Sequence, residues 1–405
     1  MASLTLSTSA VADTSVEFWH SFSNSSGETL EKIIEKFEAE NPDIQVEAKN
    51  IGNYNDIVAK LQAAIPAKRY PDAVILEVTR YGLFADRGVL EDLTPYLEKD
   101  PLKDELFEFA REVGVYEGKN YIVPFNSSTP VLYVNKGILR SAGMETVPEM
   151  TTWDQITDVA RTVSEKLQAE NVKGIVAPGQ FARWGLVMGN DSDLIDSRSG
   201  NVLLDSPATI EAYQWMSDLV HTWQLASADG VTDESAGKNA FTAGKVALNI
   251  NSTGNYSGLL DALGEDLLVL PMPCNAVCRV PIGGAGIGIL EGADQEKKDA
   301  AYKLVSYLAS AEANAIWFAE TGYMPINANT ADVDVAADAL ATQPGIRVAI
   351  DQLDFARGRP RPPVVTWMRS REYDMWQAMA LGQRPVEETL QEFAELTRAE
   401  ASRTE

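Results

Sequence analysis

The side chains best suited to chemistry are few. The chain has two histidines, His20 and His221, far apart, and two cysteines, Cys274 and Cys278, in Pro-Cys-Asn-Ala-Val-Cys-Arg. Two distant imidazoles argue against a histidine-rich metal centre and weaken most acid–base mechanisms. With no other cysteine and no histidine nearby, a structural zinc is disfavoured too. The cysteines are either one local disulfide of an exported protein or two free thiols. Gly254-Asn-Tyr-Ser257-Gly258 has the wrong spacing for a nucleophile elbow. The glycine run from Gly283 to Gly288 misses the dinucleotide pattern, because Ile289 stands where its last glycine belongs. Carboxylate pairs arise by number alone in an acidic chain, so counting them leaves a glycosidase open, with no other catalytic signature behind it. Ser252-Thr253-Gly254 has another use. A helix starting at Gly254 would offer its free N–H groups and positive end to an anion, or the hydroxyls would simply cap it.

These residues need elements to hold them. Val16–Trp19 is a short apolar strand candidate, and Ser26 is placed to cap a helix carrying Leu30, Ile33, Ile34 and Phe37 at helical spacing. Asn41-Pro42-Asp43 ends it. Ile44–Ala48 alternates like a strand, 56–64 is helical, and Ala73–Leu76 is a buried strand. This β-α-β-α-β rhythm predicts an α/β lobe with helices flanking a sheet. A second rhythm follows Tyr121-Ile-Val-Pro-Phe: strands at 131–134, 246–250 and 283–290, and helices over 153–167, 210–223, 299–309 and 311–320. The tail from 371 to 399 is mostly helical, interrupted at 382–385, and Arg359-Pro-Arg-Pro-Pro reads as a loop or connector.

Composition narrows the function. Lys and Arg total 34 against 59 Asp and Glu, a net charge of −25. That sign counts against nucleic acid and against adsorption on anionic membranes. No run approaches the roughly eighteen apolar residues that cross a bilayer. The stretch 4–12, LTLSTSAVA, ends in the small-residue pattern of a signal-peptide cleavage site. Residues 1–12 are therefore expected to be the remnant of a signal-peptide tail, with mature sequence from about Asp13.

Several ordered motifs carry a resemblance. Phe18-Trp19-His20-Ser21, Phe37-x-x-x-Asn41-Pro42 and Gly52-Asn53-Tyr54 resemble the opening of the extracytoplasmic solute-binding proteins of ABC importers. The match continues with 124–136, PFNSSTPVLYVNK; with Phe241-x-x-Gly244-Lys245-Val246-Ala247-Leu248; with Gly283-Gly284-Ala285; and with Thr321-Gly322-Tyr323-Met324-Pro325-Ile326. It runs from about Val16 to about Arg398. The FWHS start, the GNY triplet and the NSSTPVLY block are most similar to the Ugp-type branch, which binds glycerol-3-phosphate and glycerophosphodiesters.

The resemblance implies an α/β, two-lobed periplasmic-binding-protein fold (type II) with a ligand cleft between hinged lobes. It implies lobe 1 from 13–126 and 283–328, and lobe 2 from 127–282 and 329–405. It also implies a ligand set. Tyr54, at a turn before a helix, would cover or hydrogen-bond the ligand, or else be a surface tyrosine. Ser128 would offer its hydroxyl to phosphate, or else serve a turn. Ser252, Thr253 and Gly254 would form the helix-start anion site. Tyr323 is the cleft tyrosine, or a core aromatic. Phe181 and Trp184 stand where the family places stacking tryptophans, Trp184 being the better match. Arg369 matches the phosphate-binding arginine when counted back from Gly382. Arg371 is the candidate if that register slips, and pairing of Arg369 with Glu372 is the plain alternative. At the family's acidic position for glycerol hydroxyls, direct counting finds Arg80, with Glu77 three residues earlier. Either Glu77 accepts hydroxyls, or Arg80 adds a second anion contact.

The expectation is thus a monomeric, non-enzymatic binding protein, exported to the periplasm or cell surface. It needs no cofactor or metal, binds no nucleic acid, and carries an anionic glycerol phosphate or phosphodiester to the transmembrane subunits of a permease. An oligosaccharide or disaccharide binder of a related importer is the alternative, and a secreted glycoside or phosphodiester hydrolase the alternative from another class.

Overall fold

The computed structural model describes residues 14–196 and 199–404, so the signal-like stretch lies outside the described residues. Strand β1 (Thr14–His20) leads into helix α1 (Asn24–Glu40), which buries Leu30, Ile33, Ile34 and Phe37 along one face. Each such side chain stabilises the fold by about 1.5–3 kcal/mol relative to exposure. The helix begins before the expected cap. Gly27 N already bonds to Ser23 O, so Ser23 takes the N-cap position and Ser26 lies inside the first turn. Strand β2 (Ile44–Asn50) pairs parallel with β1. Helix α2 (Tyr54–Ala64) is capped reciprocally: Asn53 Oδ1 accepts from Asn55 N and Asp56 N, and the Asp56 carboxylate accepts from Asn53 N. Tyr54 is therefore its first residue. Strand β3 (Ala73–Glu77) is buried along its length.

The chain then changes sheets. Strand β4 (Val123–Ser128) belongs with β1–β3, and after Thr129 strand β5 (Pro130–Asn135) opens a second sheet. That sheet is completed by β6 (Lys173–Ile175), β7 (Val246–Ser252) and β8 (Leu267–Leu270), in the order β8-β5-β7-β6. Helix α3 (Gln180–Gly189) lies between β6 and β7 in the chain. Beyond a loop closed by the Cys274–Cys278 disulfide (Cα–Cα 5.1 Å), β9 (Gly283–Ile289) returns to the first sheet, whose order is β2-β1-β3-β9-β4. The glycines of β9 allow close approach. Gly284 has φ +113°, and a Cβ there would collide with the Asn126 carbonyl of β4.

Two hydrophobic cores follow this division. One gathers Phe18, Phe37, Ile75, Phe84, Ile287 and Trp317. The other gathers Leu132, Ile156, Trp184, Leu248, Met368 and Trp376. A smaller cluster joins Tyr133, Phe241 and Tyr256 to Phe318 of helix α4 (Ala311–Thr321). Helices α5 (Pro363–Ala380) and α6 (Val386–Thr404) pack onto the second core. Among the described residues no helix is long and apolar enough to cross a membrane, and no cluster of metal-ligating side chains occurs.

Candidate functional site

The most heavily charged buried point lies where β3 ends. Glu77 closes that strand, and the turn after it brings Thr79 N and Oγ1 back to Glu77 Oε2 at 3.1 and 2.5 Å. From α5, Arg369 donates through Nη1 to Glu77 Oε2 at 2.7 Å and to Thr79 Oγ1 at 2.8 Å. From the segment before α5, Arg359 donates through Nη2 to Glu77 Oε1 and through Nε to the Ile282 carbonyl at 2.9 Å. Arg80 Nε stands 3.8 Å from Glu77 Oε2 without a hydrogen bond. All four side chains are buried.

Three guanidinium groups thus surround one carboxylate. Burial opposes ionisation of Glu77, but Arg359, Arg369 and Arg80 hold it down at about 2. Burial, with Arg369 beside it, lowers Arg80 to about 9; burial and the same neighbour lower Arg359 to about 10. Asp193, within the field of Arg359, is pushed up to about 6 by burial, and its carboxylate accepts from Trp184 Nε1 at 2.6 Å. Even with Asp193 ionised, the set keeps an excess of positive charge. Arg359 Nη1 and Arg80 Nε have no hydrogen-bond partner, which a buried donor rarely tolerates.

Arg369 is held from behind. Gln180, the first residue of α3, accepts Arg369 Nε and Nη2 on its Oε1 at 3.1 and 2.8 Å. Its amide nitrogen donates to Arg369 O and to Glu372 Oε2. Glu372 in turn takes Arg183 in a bidentate pair, 2.7 Å on each arm, and the Tyr213 hydroxyl at 2.8 Å. So Glu372 pairs with Arg183, not Arg369. Arg371 is exposed over Trp367.

A second group stands beside the first. Burial pushes the Tyr54 hydroxyl well above its ordinary value, with Tyr323 and Glu77 adding to the shift, and burial likewise raises Tyr323 to about 12. The Tyr54 hydroxyl is buried without a hydrogen-bond partner. Gly254 lies against the Tyr323 ring, where any Cβ would collide. Ser252 Oγ accepts from Gly254 N at 3.2 Å and caps a short 3₁₀ turn over 253–255, with the α-helix starting at Tyr256, so that amide is already used. Thr253 Oγ1 is buried and unpartnered. Ser128 pairs with Gly283 in register, and Phe181 reaches the same glycine. Phe181 and Trp184 lie under the Arg359 guanidinium at 5.0 and 5.1 Å, and Trp184 is fully buried. The ten expected residues therefore meet along the junction of the two sheets. Ser252 acts as a cap there, and Trp184 as a support for the arginines.

Sequence reasoning missed Arg359, Thr79 and Gln180. Arg359 sat in a Pro-rich connector with no period to mark it. Gln180 lies inside the GQFARW block, where only the aromatics carry a family signal.

Comparison with known proteins gives the family. The profile of the bacterial extracellular solute-binding proteins matches residues 32–343. The sn-glycerol-3-phosphate-binding periplasmic protein UgpB of Escherichia coli strain K12 is 28% identical over 372 residues, covering 86% of this chain and 83% of the relative. UgpB of Mycobacterium tuberculosis, solved with glycerophosphocholine, superposes with a TM-score of 0.83 at 23% identity, covering 96% of this chain and 98% of that one. Maltose-bound MalE3 of T. maritima gives 0.84 at 24% identity, covering 95% and 99%. At such identities these two structures speak for the fold alone. The profile covers most of the chain, so the chain belongs to the bacterial extracellular solute-binding proteins: a two-lobed, non-enzymatic substrate-binding component of an ABC importer, which works outside the cytoplasm and delivers a small solute to its permease.

Proposed function

We propose that the cleft binds glycerol-3-phosphate or a glycerophosphodiester such as glycerophosphocholine. One observation carries this reading: the buried guanidiniums of Arg80, Arg359 and Arg369 outnumber the carboxylates beside them. In a protein of net charge −25, such a local surplus suits an anion, and a planar guanidinium suits phosphate oxygens. In this reading Arg369 and Arg359 take the phosphate. Tyr54, Tyr323, Ser128, Thr253 and the backbone at Gly254 face the rest of the ligand, with Ser252 shaping that turn and Trp184 backing the arginines. The lobes are 13–126 with 283–328 and 127–282 with 329–405, and the protein acts as a monomer. The names of the UgpB relatives support the same ligand class.

An oligosaccharide binder would turn Arg369 outward and line the cleft with tryptophans and carboxylates; Arg369 points inward, onto Glu77. Calorimetry against glycerol-3-phosphate, glycerophosphocholine, maltose and trehalose tests the choice. Binding of either phosphate compound and neither sugar is the expected result. Tight maltose or trehalose binding with no phosphate response overturns it.

A further inference from the structure

Glu77 fills the space between the guanidiniums of Arg80, Arg359 and Arg369. It belongs to the β3 end of the first sheet, while Arg359 and Arg369 come from the part of the chain packed on the second core. The Arg369 fork has no free edge. Nε and Nη2 are on Gln180 Oε1, and Nη1 is on Glu77 and Thr79. A phosphate that is to take Arg369 in a two-point grip must therefore displace Gln180, or Glu77 together with Thr79. Gln180 is tied within its own half of the molecule by the Arg369 carbonyl and Glu372. Glu77 and the adjoining Thr79 reach across from the other sheet, Glu77 as the charged partner, so they leave when the halves separate. Arg80, with Nε unpartnered 3.8 Å away on the same half, is placed to receive the released carboxylate.

We propose that Glu77 is an internal counter-ion: it latches the two halves together through Arg369 and Arg359, and the ligand's anionic group binds by displacing it. The proposal rests on the anion reading of the cleft given above. Its consequence is opposite in sign to a role in holding ligand hydroxyls. A latched form whose guanidiniums are occupied is not competent to bind, and apparent affinity falls with the fraction held in that form.

The test is Glu77→Gln, which keeps the shape and removes the charge. Small-angle scattering without ligand should show a larger radius of gyration than wild type. Calorimetry with glycerol-3-phosphate, and with inorganic phosphate as the minimal probe, should show binding tighter by about tenfold, the scale of one charged hydrogen bond. Glu77→Asp keeps the charge on a shorter arm and should move both readouts the same way by less; it decides the matter if the Gln variant does not fold. Unchanged scattering with weaker phosphate binding overturns the proposal and makes Glu77 a ligand contact. Opening without a gain in affinity overturns the competition. If wild type binds maltose and neither phosphate compound, the ligand reading fails on its own, and the scattering comparison, which needs no ligand, still decides the latch.

Discussion

Two buried arginine–carboxylate clusters lie on either side of Gln180, and they are built on opposite terms. Arg183 and Glu372 match one to one. The pair is bidentate, Tyr213 and Gln180 fill the remaining acceptor sites, and the carboxylate outweighs burial to raise the Arg183 guanidinium above its ordinary value. Around Glu77 the match is three to one. There burial and mutual repulsion push Arg80 and Arg359 down, and donors are left without partners. A compensated buried pair holds a fold together and asks for nothing further. An uncompensated one costs stability unless another anion completes it. The two clusters share residue types and burial. Charge balance separates scaffold from site.

The comparison breaks most readily at the balanced pair. Arg183→Ala or Glu372→Ala should lower stability by about 3–5 kcal/mol, because the surviving partner stays buried and unpaired. Denaturant unfolding reads this; a loss below about 1 kcal/mol would remove the scaffold role. At the unbalanced cluster the effect should fall on binding instead. Arg369→Ala should weaken glycerol-3-phosphate by about ten- to a hundredfold, the 1.5–3 kcal/mol of a charged hydrogen bond. Arg369→Lys should recover only part of that, lacking the planar fork. Arg371→Ala, on the exposed face, is the control, and if it proves the crippling change then the assignment of Arg369 is wrong.

The pH dependence sharpens the contrast at smaller scale. The folded value of Glu77, about 2, lies below the ordinary carboxylate value near 4.5. Its contribution to stability is therefore fully present above pH 4.5 and is lost as pH falls toward 2. The difference in melting temperature between wild type and Glu77→Gln should be flat from pH 7 to 4.5 and shrink below that. A difference that persists unchanged to pH 2 would contradict the charge pairing. The smallest effect belongs to the disulfide loop. Replacing Cys274 and Cys278 with Ser should leave phosphate binding as in the parent, since none of the proposed contacts lies in that loop; calorimetry showing collapsed affinity in a folded double variant would bring the loop into the site.

Much of the frame could be read in advance, and the reasons are local. Leu30, Ile33, Ile34 and Phe37 repeat at helical spacing, and α1 buries that face. Ala73–Leu76 is a short apolar run, and it forms the buried β3. Spacing permits both a disulfide and two free thiols, and the fold closes the bridge with 5.1 Å between the Cα atoms. Among the proposed contacts, Tyr54, Ser128, Gly254 and Tyr323 follow from motif order, and Arg369 from the count back from Gly382. Arg359 had no such mark, since an arginine in a Pro-rich stretch looks the same whether it faces solvent or a carboxylate.

Order and period along the chain were enough for the alternating elements, the solute-binding family and the acid surplus, because each depends on neighbours a few residues apart or on counting. Which charges meet is another matter. Glu77 lies 282 residues from Arg359 and 292 from Arg369. Ion pairing out of water depends on distance and burial in three dimensions, and neither is set until the chain, crossing between sheets at Thr129 and Ile282, brings β3 together with α5 and the segment before it. Only the tertiary structure could turn Glu77 and Arg80 from rival readings into members of one cluster, with Arg359 added to it.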